Sequence, residues 1–190
     1  MNSIDELISE AEALHTETQQ VLGETEPEEW EHDLTKYDVV ALIQARRACI
    51  RDDYQAAVEL FGRVFSRIDL AGNSVGSLNV ASYALALARV GDVRARKVAV
   101  AAEERFKVEV GRKAALGLWN IAEAYALLKD AQSAVRCLRA SLIQEPSLVR
   151  TWLTAPKEME VFLPIRSEPT FAMFEGQVLA VPGEKMAVAK

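Results

Sequence analysis

Apolar residues recur along this chain at helical intervals, and its breakers fall mostly at the ends of those runs. Ile4, Leu7, Ile8, Ala11 and Leu14 share one helical face, with acids on the other. No stretch shows sustained alternation bounded by Asn-Gly or Asp-Gly turns, so strands are not indicated. Only 9 glycines and 6 prolines occur. The expected class is therefore all-α.

The same reading divides the chain. A first helix over 3–22 starts at Ser3, whose hydroxyl caps free backbone N–H groups while Glu6 completes a capping box. Residues 23–33 read as an acidic connector or the frayed start of the next helix, with Thr25, Pro27 and Glu28 as its N-terminal cap and proline near a first turn where its missing N–H costs little. Helical patterns then cover 37–51, 54–68, 78–90, 93–107, 114–128 and 131–144, with a glycine-containing break at 71–76. The expected organisation is an acidic arm and connector at 1–33, three helical hairpins over 34–148, a C-terminal capping segment at 149–181 and a loose tail at 182–190.

Charge is distributed unevenly over this plan. Residues 1–33 hold 11 of the 28 acidic residues and no Lys or Arg, leaving 17 acids against all 22 basic residues, a net charge of +5, in the remainder. An acidic arm argues against a DNA-facing N-terminus. No run of 18 apolar residues indicates a membrane span, and residues 1–12 lack the pattern of a secretory signal. Two cysteines, Cys49 and Cys137, cannot build a disulfide framework, so a reducing compartment and a cytoplasmic location are expected.

The segment 115–148 carries an ordered set of large and small residues. Leu118, Ile121, Ala122 and Tyr125 occupy its first helix, Ala134, Leu138 and Ser141 its second, and Pro146 closes it. This pattern resembles the tetratricopeptide repeat (TPR) family. Weaker copies lie upstream: Ala45, Ala57 and Phe61 match in one, although Gln44 and Ala48 depart from the large residues expected. Ala84 matches in the other, where Ala95 comes one residue early and Arg96 takes the place of an alanine. The resemblance covers about residues 38–148 and is strongest at 115–148; Ala45, Ala84 and Ala122 lie 39 and 38 residues apart, longer than the family's 34. It implies a right-handed helical solenoid in which alanines let paired helices approach closely while larger side chains fill the space around them. The proline-interrupted stretch 155–174 resembles the ending that often follows such repeats in bacterial proteins. Val161, Phe162, Leu163, Phe171 and Phe174 are expected to cap the open end, and 147–153 to begin a helix leaning on the third unit.

The resemblance further implies a concave groove for protein recognition, lined by the first helix of each unit. Carried onto this chain, its positions are Val39, Leu42, Ile43, Arg46, Cys49 and Ile50, then Leu78, Ala81, Ser82, Leu85, Ala88 and Arg89, then Leu116, Trp119, Asn120, Glu123, Ala126 and Leu127. Most are apolar. Arg46, Arg89 and Asn120 alone offer polar groups to the family's clamp for a C-terminal carboxylate, which argues against that clamp. An apolar groove this long needs a cover: the acidic helix, the C-terminal segment, a second copy in a homodimer, or a partner helix. Trp119 is the expected hot spot, with ordinary core as the competing reading.

Chemistry is less evident. His15 and His32 have no second ligand at metal spacing, the cysteines have no CxxC spacing, and neither a phosphate-binding loop nor a nucleophile elbow occurs. No catalytic residue, cofactor or metal is expected. Glu103 and Glu104 read as exposed helix charge. The cluster Arg94, Arg96, Lys97, Arg105, Lys107, Arg112 and Lys113 reads as a solvated face rather than a nucleic-acid contact, since no aromatics interleave it. The expected role is an adaptor, assembly factor or chaperone binding a partner helix or extended segment. The alternatives are a secretion chaperone, an immunity-type inhibitor or the non-catalytic regulatory subunit of an enzyme.

Overall fold

Three chain reversals set the architecture, and each uses the same local device. Asp52, Gly91 and Lys129 adopt φ values of 59°, 74° and 57°. Each is followed by an aspartate whose backbone N–H donates to a carbonyl five residues earlier: Asp53 to Ala48, Asp92 to Leu87 and Asp130 to Tyr125, all at 2.9 Å. The left-handed residue turns the chain out of one helix while the aspartate starts the next. Asp53 and Asp130 accept hydrogen bonds from the amides of Ala56 and Ser133, at 3.2 and 3.0 Å, capping donors that a helix leaves free. Asp92 instead accepts from Arg94 N and its guanidinium. The reversals are 39 and 38 residues apart, the intervals that separate Ala45, Ala84 and Ala122.

The computed structural model describes residues 36–67 and 75–179. Among them, all regular structure is helical. The elements are α1 (Lys36–Ile50), α2 (Tyr54–Phe65), α3 (Ser77–Arg89), α4 (Ala95–Arg105), α5 (Arg112–Leu127), α6 (Ala131–Gln144), α7 (Pro146–Thr154), the short α8 (Pro156–Met159), a 3-10 helix (Glu160–Ile165) and α9 (Pro169–Leu179). Helix α1 packs on α2, α3 on α4 and α5 on α6; α3 also packs along α5 and touches α1. None of these helices is long and apolar enough to cross a membrane.

Small residues lie where the paired helices approach. Ala45, Ala57, Ala84, Ala95, Ala122 and Ala134 are all fully buried. Ala95, one residue early for the family pattern, is nonetheless buried, and Arg96 points outward to pair with Asp130 at 2.7 Å. Between the first two pairs, Phe61 and Phe65 pack with Tyr83 at ring separations of 5.6 and 5.0 Å. At the other end, Phe162, Phe171 and Phe174 form a buried chain of rings.

Several expectations need correction. Pro146 does more than stop α6: it occupies the first turn of α7, where its fixed φ suits a helix start. Leu163 is 60% exposed and takes no part in the C-terminal cap, because the 3-10 helix turns it away while Val161, Phe162 and Ile165 face inward. Glu103 is half-buried, not solvated: Tyr125 Oη donates to it at 3.1 Å and Arg136 binds it through two nitrogens at 2.6 and 2.9 Å. Only Glu104 keeps the exposed role, paired with Lys107. Helix α2 ends at Phe65 rather than at 68. The acidic helix at 3–22, the connector, His15, His32 and the tail at 182–190 lie outside the described residues.

Candidate functional site

Helical spacing places three stripes of side chains toward one cleft of about 470 Å³. Helix α1 contributes Arg46, Cys49 and Ile50, α3 contributes Leu78, Ser82, Leu85 and Arg89, and α5 contributes Leu116, Trp119, Asn120 and Glu123. Residues three and four apart share a helix face, so each stripe follows from its helix's registration. Of the groove positions carried over from the repeat family, these eleven line the cleft. Val39, Leu42, Ile43 and Leu127 do not line it: Leu42 is buried in the core and Leu127 is half-buried against it, while Val39 and Ile43 are half-buried on α1. Ala81 and Ala126 are fully buried beneath the stripes, and Ala88 is half-buried against the core.

Five further residues complete the walls. Asp52 comes from the α1–α2 turn and Tyr54 from the first turn of α2, Trp152 from α7, and Lys157 and Glu158 from α8. Asp52 and Tyr54 escape a reading by helix faces because they belong to no first helix. The α7–α8 residues enter only because a proline-started helix folds back over the third pair, a long-range event that local periodicity does not encode.

The floor is a polar network in an apolar setting. Glu123 is only 7% exposed. Its Oε1 accepts a hydrogen bond of 2.7 Å from Trp119 Nε1, one turn earlier on α5. Its Oε2 lies 3.8 Å from the Arg89 guanidinium, beyond hydrogen-bond distance. Burial raises the carboxyl from its ordinary range to about 7, against the opposing effects of Trp119 and Arg89. Arg89 lies 5.2 Å from the centre of the Tyr54 ring, and Tyr54 Oη donates to Asp52 at 2.9 Å. Burial and that hydrogen bond push the Tyr54 phenol up to about 12. Asn120 Nδ2 donates to Ser82 Oγ at 3.3 Å across α3 and α5.

Trp119 is 4% exposed and contacts Trp152 and Phe162 at ring separations of 4.9 and 5.5 Å. Its ring therefore belongs to the core while its edge borders the cleft. Burial lowers the pKa of Arg46, against a smaller opposing effect of the Cys49 thiol. The Cys49 thiol is pushed up to about 11, chiefly by burial, so it is not an activated nucleophile. Cys137 is buried and shifted upward as well. Among the described residues no group of three His, Cys, Asp or Glu side chains is arranged to hold a metal ion.

The basic cluster lies elsewhere and is partly paired. Arg94 binds Asp92, Arg96 binds Asp130, Lys107 binds Glu104, and Arg105 donates to the Val75 carbonyl. Comparison with known proteins adds no relative: no family model, curated protein or solved structure matches the chain.

Proposed function

We propose that the chain is a protein-recognition module, a tetratricopeptide-like stack acting as an adaptor, assembly factor or chaperone, which binds a helical or extended segment of a partner in the cleft. The observation that carries this reading is the convergence of the α1, α3 and α5 stripes on one concave surface. Apolar walls at Ile50, Leu78, Leu85 and Leu116 supply area to desolvate, and a small set of polar groups supplies orientation. Ile50, 82% exposed at the rim, is a large apolar side chain placed for contact. The thrice-used turn at regular intervals supports a repeat origin for the stack.

The test is affinity purification from the native host with the wild-type chain and with an Ile50→Arg, Leu78→Arg double variant. A protein that co-elutes with the wild type and is lost with the variant, at unchanged melting temperature, is the expected result. Turnover of a small molecule by the isolated chain, with no cleft-dependent partner, overturns the reading in favour of an enzyme.

A further inference from the structure

We infer that the cleft accepts an acidic, apolar-flanked segment of a partner protein, and that protonation of Glu123 controls its entry by setting the cleft's charge and freeing Arg89. This rests on the recognition reading above and assigns the partner's chemistry and its regulation.

The geometry distinguishes the cleft's cations from its acids. Three of each border it: Arg46, Arg89 and Lys157 against Asp52, Glu123 and Glu158. Asp52 already accepts from Tyr54, and Glu123 accepts from Trp119 and faces Arg89. Arg46 has no carboxylate in ion-pair reach among the described residues despite its partial burial. Such a cation is poorly compensated, and an incoming carboxylate would supply the missing charge. The apolar walls at Leu78, Leu85 and Leu116 suit a bulky side chain beside that carboxylate.

Glu123 is the element that makes the cleft conditional. With Glu123 ionised the six side chains sum to zero, and its carboxylate competes with any incoming one for Arg89. With Glu123 neutral the sum becomes +1, and Arg89 keeps only the Tyr54 face. Among the described residues the charged and titratable groups around it come from four elements: Arg89 from α3, Asp52 from the first turn, Tyr54 from the start of α2, and Glu158 with Lys157 from α8; Asp52 and Glu158 both oppose its ionisation. The upward shift of its carboxyl to about 7 puts the change of state near neutrality.

The experiment measures binding of fluorescein-labelled 12-residue peptides of Glu, Leu and Phe, with Gln-for-Glu and Lys-for-Glu counterparts, to the full-length chain at pH 6 and pH 8. Peptide glutamates are ionised at both values. If only the neutral form of Glu123 admits the ligand, affinity for the Glu peptide is about tenfold higher at pH 6, following the fraction of competent protein. Glu123→Gln is expected to bind at pH 8 as the wild type does at pH 6, with a flat pH profile. Arg46→Gln is expected to lose about tenfold or more at both values, with thermal melting confirming that each variant folds.

Equal affinity for the Glu and Gln peptides, or no change between pH 6 and pH 8, overturns the inference. So does tightest binding of the Lys peptide. If no peptide binds while a co-purified partner still depends on Ile50 and Leu78, the acidic assignment falls and the recognition reading stands. Binding that appears only after Ile4, Leu7 and Ile8 are replaced by Ser makes the chain's own acidic arm the occupant and overturns an external partner. Probe affinity that falls as the measured mass doubles does the same in favour of a second copy.

Discussion

Glu123 is a carboxyl whose buried setting opposes its ionisation. Its folded-state pKa, about 7, lies above its ordinary value of 4.5, so the folded chain binds the extra proton between those values. Stability is therefore greatest below about pH 4.5 for this group alone and declines as pH rises through 7. Glu123→Gln removes the titration; at pH 8 it should stabilise the chain by up to about 3 kcal/mol, a gain that falls below about 1 kcal/mol at pH 5. Urea unfolding of both proteins at the two pH values checks this, and an equal difference at both would show that the carboxyl is not shifted. A second residue is constrained by packing alone. A Cβ built on Gly117 would fall 1.9 Å from Phe106 Cζ, so Gly117→Ala must displace a buried ring. Overpacking of this kind costs about 1 to 3 kcal/mol, and Ala134→Leu at the α5–α6 contact should cost a similar amount. An unchanged melting temperature for either would mean that the contact yields freely.

At the scale of the elements, the turns explain why the first helices of three pairs of unequal sequence end alike. The left-handed position is filled by Asp52, Gly91 and Lys129. Only glycine takes that conformation without a Cβ penalty. Gly91→Ala should therefore cost about 1 kcal/mol, while Lys129→Gly should be neutral or stabilising because relief of strain offsets added freedom in the unfolded chain. Thermal melting of the two variants checks the opposition, and a loss at Lys129→Gly as large as at Gly91→Ala would contradict it. The helices themselves were legible because apolar periodicity, small residues and breakers agree in this chain. The predicted starts and ends of α1, α3, α4, α5 and α6 differ from the observed ones by at most two residues. The end of α2 differs by three, since Ile68 continues the apolar pattern.

At the scale of the whole molecule, eleven of the eighteen positions singled out on the three first helices line the cleft, because each set is a helical stripe fixed once the helix register is fixed; the other seven do not line it. The closing wall was not readable from the sequence, because Trp152, Lys157 and Glu158 reach the cleft through the fold-back of α7 and α8. Nor was the balance of the cleft: a list of mostly apolar positions gave no sign that Glu123, Arg89, Tyr54 and Asp52 would form one network. The same fold-back explains Trp119, which borders the cleft while Trp152 and Phe162 pack against its ring. Trp119→Ala should therefore cost about 3 to 5 kcal/mol in folding, enough to obscure any effect on binding. The exposed rim residue Ile50 is the better probe. The most direct test of cleft recognition is the equilibrium dissociation constant of the co-purified partner for the wild-type chain and for Ile50→Arg, measured at matched stability. Cleft recognition predicts at least a tenfold weakening with an unchanged melting temperature; equal affinity for the two proteins would contradict it.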